Sequence, residues 1–124
     1  MDDGFEHIDP APLFALEGRV PLDDLFAALQ SSTVRHTLLY LSRHESADLE
    51  ELATVCAGYS AAATGEIKTR DDHRRLRVRL VHEVLPRLAE LSFVRLSGDG
   101  TGVRETSVPD AVSTVLEVDR GAPG

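Results

Sequence analysis

Residues 71–106 read DDHRRLRVRLVHEVLPRLAELSFVRLSGDGTGVRET, and the way this stretch divides decides the fold. Leu76-Arg77-Val78-Arg79-Leu80 alternates like a strand. Leu80, Val81, Val84, Leu85, Leu88 and Leu91, however, recur at helical spacing, and no turn signal follows Leu80. The stretch therefore predicts a helix that buries Val81, Leu85 and Leu88, with Asp71 and Asp72 capping its start. Pro86 lacks an N–H and crowds the carbonyl four residues back, so a kink near 82–86 or a restart at Pro86 is expected. After Leu91 the pattern turns β. Phe93, Val94 and Leu96 precede Gly98-Asp99-Gly100-Thr101-Gly102, and Val103 to Thr106 return, which predicts a hairpin turning at 98–102.

Upstream, three helical patterns follow one another. Leu22, Leu25, Phe26 and Leu29 form the first stripe, behind Pro21 and with Asp23 and Asp24 in the first turn. Ser31 and Ser32 are N-cap candidates for the second, whose stripe is Val34, Leu38, Leu39 and Leu41 and whose end lies near Arg43 and His44. Asp48, with Glu51 three residues on, makes a capping box for the third, and Gly58 is its expected stop. Residues 59–70 then read as a long loop. The predicted domain is 21–106, between an N-terminal tail (1–20) and a C-terminal segment (107–124). In that segment Pro109 to Val118 reads as a short helix or a strand, and Gly121 to Gly124 as a frayed end. Leu13, Phe14 and Leu16, and Val112, Val115 and Leu116, are apolar outside that domain and are expected to cover one another in self-association.

Composition narrows the function. The 124 residues carry a formal charge of −8, and the 13 basic residues are all Arg except Lys68. Abundant carboxylates with almost no Lys suit a salt-rich cytosol, as in a halophilic archaeon, although a GC-rich genome also exchanges Lys for Arg. Cys56 is alone, which suits a reducing cytoplasm. No apolar run reaches the length of a membrane span, and the acidic start Met1-Asp2-Asp3 does not read as a secretory signal, so a cytoplasmic protein is expected. No metal or cofactor is expected. His36 and His44 are eight residues apart without further ligands, and His73 sits beside Asp71 and Asp72 in a capping position. No nucleophile has a diagnostic context, so the chain is not read as an enzyme. The glycine-rich stretch at 98–102 lacks the Lys-Ser/Thr and the helix of a phosphate loop.

The basic residues cluster instead. Lys68, Arg70, Arg74, Arg75, Arg77 and Arg79 precede or open the long helix, a spacing suited to phosphate contact and to bidentate reading of guanine. Helix, helix, helix, basic helix and glycine-tipped hairpin is the order of a winged helix-turn-helix, mainly α with a small β-hairpin. Over 21–106 the chain resembles a haloarchaeal winged-helix domain family of unknown function, itself similar to ArsR-type repressors. The segments that carry this are LDDLFAAL (22–29), RHTLLYL (35–41), ADLEELA (47–53) and HEVLPRLAE (82–90). The resemblance implies a positioning helix at 48–57, a recognition helix within 72–90 and a wing at 93–106. The expected function is a DNA-binding transcriptional regulator acting on double-stranded DNA as a homodimer. Arg77 and Arg79 are expected at base edges, and Arg74, Arg75, Lys68 and Arg70 at the backbone. The alternative is a winged-helix module that docks its Arg stretch on an acidic protein partner and binds no DNA.

Overall fold

Ser31, in extended conformation, caps the start of the second helix. Its hydroxyl accepts the Val34 N–H at 3.3 Å, so α1 (Leu22–Ala28) and α2 (Ser32–Leu41) are separated by only a few residues. The computed structural model describes residues 9–121; the acidic start at Met1, Asp2 and Asp3 and the end of the frayed segment lie outside the described residues. After α2 comes β1 (Ala47–Asp48), and Asp48 caps α3 (Leu49–Thr64) with the expected box. Asp48 accepts the Glu51 N–H at 2.8 Å, and Glu51 accepts the Asp48 N–H at 3.3 Å.

Gly58 does not stop α3. The helix runs on through Ala61-Ala62-Ala63, alanine being the strongest helix former, and ends at Gly65, whose φ of +77° closes it in the left-handed conformation. The long loop expected at 59–70 is therefore the short turn 65–69. Then α4 (Arg70–Arg79), a π-helical segment (Leu80–Val84) and α5 (Leu85–Glu90) form one continuous rod. Residues 76–80 are helical, not strand. The π segment is the form the expected kink takes. The Leu85 N–H reaches back five residues to the Leu80 carbonyl, and Pro86, which has no N–H to donate, follows directly in the first turn of α5. The wider turn also moves the buried stripe. Leu80, Val84, Leu85, Leu88 and Leu91 are buried, whereas Val81, expected inside, is only half-buried.

Strands β2 (Val94–Leu96) and β3 (Gly102–Thr106) make the hairpin, and β1 adds to its other edge, giving an antiparallel sheet in the order β1-β3-β2. Ala47 faces Val103 and Val94 faces Thr106, with a bulge between Arg95 and Leu96. The architecture is that of a winged helix: mainly helical, with a small three-stranded sheet.

The flanking segments are part of the same core. A 3-10 turn (Ala11–Leu16) buries Leu13 and Leu16, and α6 (Asp110–Gly121), a helix rather than a strand, buries Val112, Val115 and Leu116. They pack on each other and, through α6, on α2. The apolar sets expected to meet across a dimer are thus covered within one chain, apart from Phe14, which stays exposed.

Candidate nucleic-acid interface

Helix α4 starts with a capping box of its own. Thr69, not Asp71 or Asp72, is the N-cap; its hydroxyl accepts the Asp72 N–H at 3.1 Å, and the Asp72 carboxylate accepts the Thr69 N–H at 3.0 Å. That backbone N–H, then the Thr69 hydroxyl, hold the Asp72 carboxyl below its ordinary pKa; the Lys68 and Arg75 charges add to this. Asp71 and Asp72 in the first turn complement the helix dipole. No residue of α4 is fully buried. Its inner side is made by half-buried Leu76, packed on the core, and by the polar groups that face α3.

Those groups include Arg77. Its Nη1 lies 3.3 Å from Glu50 on α3 and donates to His73 Nδ1 at 3.0 Å, while His73 Nε2 meets Thr54 Oγ1 at 3.3 Å. A guanidinium can only donate, so Nδ1 is the acceptor and the ring hydrogen sits on Nε2, directed at Thr54. Arg77 therefore bridges the two helices, where a base-edge contact had been expected. Glu50 and Thr54 lie far from it in sequence, and no local pattern announces the pairing.

The remaining cations divide by place. Arg70 opens α4 and is exposed, and Lys68 lies partly covered in the turn before it. Arg74 is exposed with no hydrogen-bond or ion-pair partner among the described residues. Arg75 meets Asp72 at 3.4 Å and Arg79 meets Glu83 at 3.5 Å. Both pairs are solvated and hold the two guanidinium groups only weakly. Around Val78 the side chains of Arg74, Arg75, Arg79, His82 and Glu83 enclose an open depression of about 480 Å³.

The wing is less basic. Arg95 pairs with Glu105 at 3.8 Å, Arg104 is exposed on β3, and the tip carries Asp99. One Asp99 oxygen accepts from Ser97 Oγ, Thr101 N and Thr101 Oγ1 at 2.8, 3.1 and 2.8 Å. The Ser97 hydroxyl first, then Thr101, lower its pKa to about 2. Between wing and α3 lies a larger open depression of about 990 Å³, lined by Asp48, Glu50, Asp99 and Arg104 among others. Its acidic lining opposes nucleic acid.

The other singled-out residues have structural partners. His36 stacks on Tyr59 and His44 on Tyr40, whose hydroxyl donates to Glu51. Cys56 is buried beside Thr37 Oγ1 at 3.4 Å, and burial pushes its thiol pKa up, the opposite of activation. Among the described residues no group of three or more His, Cys, Asp or Glu is placed to hold a metal ion.

Residues 26–104 match the model of a family described as a domain of unknown function, DUF7344. No curated protein and no solved structure matches the chain.

Proposed function

We propose that this chain, which belongs to the DUF7344 family, is a DNA-binding transcriptional regulator that sets α4 into the major groove of double-stranded DNA. One observation carries the reading. The second helix of the helix-turn-helix unit buries none of its residues and turns Arg74, Arg75 and Arg79 outward. Lys68 and Arg70 lie at its start, beside the phosphate backbone, and Arg77 reaches Glu50 on α3. The net charge of −8 opposes approach from a distance, but affinity follows local basic density, and in about 1 M salt the Debye length is only about 3 Å. That setting fits a cytoplasmic ArsR-like regulator of a halophilic archaeon. A homodimer places two α4 helices in successive major grooves. Phe14, 53% exposed and edge-on to Phe26 at 6.0 Å, is the apolar contact it would use beside α1.

The test is a binding assay in high KCl with DNA fragments enriched from the source genome. Wild type is expected to bind and an Arg74→Ala/Arg79→Ala double variant to lose most of that affinity. Each lost phosphate contact should also flatten the plot of log affinity against log salt by about one unit. Wild type and variant binding equally poorly would overturn the reading. Asp99 at the wing tip, where a phosphate-contacting wing would carry a cation, favours the second reading, a module that docks its Arg face on an acidic protein.

A further inference from the structure

Leu76, Val78 and Leu80 alternate with arginines, but on a helix residues two apart point in different directions. Leu80 is fully buried and Leu76 half-buried against the core, while Val78 is 53% exposed on the opposite side. Isolated apolar residues on a surface are ordinary. Val78 differs in its setting, since it lines an open depression together with Arg74, Arg75, Arg79, His82 and Glu83. One turn separates it from Arg74 on one side and from His82 on the other. Among the described residues Val78 does not pack against the core, and valine is a poorer helix former than the alanine or arginine that an ordinary solvated face would carry.

In the major groove one group asks for such a surface: the 5-methyl of thymine, the sole apolar substituent on the base edges there. We propose that Val78 is a specificity contact of this face, packing on a thymine methyl while Arg74, Arg75 and Arg79 engage the phosphates and guanine edges around it. The proposal rests on the DNA-binding reading and adds the sequence feature that is read: a thymine flanked by guanine. The arginines supply charge complementarity to the duplex, and Val78 distinguishes T from C, which lacks the methyl.

The experiment uses the full chain. Duplexes enriched from a random pool in high KCl are resynthesised with each thymine in turn replaced by deoxyuridine, which removes only the methyl. At one thymine per half-site, wild type is expected to lose about fourfold in affinity, the worth of one buried carbon. Val78→Ala should bind thymine and deoxyuridine duplexes alike at that position. Alanine at an exposed helical site preserves folding, which circular dichroism checks. If duplexes are enriched but no thymine methyl matters, or Val78→Ala keeps the full methyl dependence, this inference is overturned and DNA binding stands. If no duplex is enriched, the DNA-binding reading falls and the inference falls with it.

Discussion

Ser92 holds a backbone angle that side chains disfavour, with φ +66°, alone in this among the described non-glycine residues. It reverses the chain after α5. Its N–H donates to the Ala89 carbonyl at 2.9 Å and the Phe93 N–H to that of Leu88 at 3.0 Å, and the reversal places Phe93 in the core. Ser92→Gly should relieve the left-handed strain, partly offset by a more flexible unfolded chain, and stabilise by about 0.5–1 kcal/mol. A urea midpoint equal to or below wild type would count against this. At the wing tip, three donors on one oxygen hold Asp99 near pKa 2, down from 3.8. A depressed carboxyl contributes fully above its unfolded pKa and loses that contribution as pH falls through the folded one. The Asp99 carboxyl carbon shift should therefore still report an ionised group at pH 3; a midpoint near 4 would show the turn to be open. The Asp-Gly signal located this turn from sequence, because turn chemistry is local. That Val81 is only half-buried was not legible, because one π turn changes the period that the reading assumes.

The rod of α4, π segment and α5 shows the same limit at the level of elements. Thr69-Arg70-Asp71-Asp72 carries the signature of a capping box, Ser or Thr followed three residues on by an acid, and it was readable; the adjacent carboxylates Asp71 and Asp72 simply made a second plausible cap. The end of α3 was harder to read. A glycine inside a helix costs about 1 kcal/mol against alanine, and the alanines after Gly58 and the left-handed cap at Gly65 outweigh it. Both errors bear on the site, since they set where α4 begins and hence which arginines lie in its first turn. Thr69→Ala should cost about 1 kcal/mol and speed amide exchange in the first turn of α4. Exchange there as slow as in wild type would mean that packing against α3, not the cap, fixes the helix start. The link between Arg77 and Glu50 supports the other end, so the loss should stay confined to residues 70–73.

At the level of the molecule, hydrophobic period and turn signals suffice for a winged helix, because each is carried within a few residues. Which distant segments complete the core is not carried that way. Leu13, Leu16, Val112, Val115 and Leu116 lie some hundred residues apart in two groups, and either a partner copy or the chain itself was able to cover them. Here the chain does so, and each of the five is at most 3% exposed. Truncating one such leucine typically costs about 2–5 kcal/mol, against a whole-domain stability of about 5–15 kcal/mol. A fragment of residues 19–108 discards all five and uncovers the side of α2 on which α6 packs. That fragment should show no cooperative thermal transition, and the single substitution Leu13→Ala should lower the urea midpoint of the full chain without changing its mass in solution. The second measurement separates the two ways of covering these residues. If they met across a dimer, Leu13→Ala would shift the chain toward monomer in sedimentation. If they form one intramolecular core, stability falls and association is untouched. A fragment 19–108 that still unfolds cooperatively would show that the turn at 11–16 and α6 are accessories to the winged helix and not part of its core.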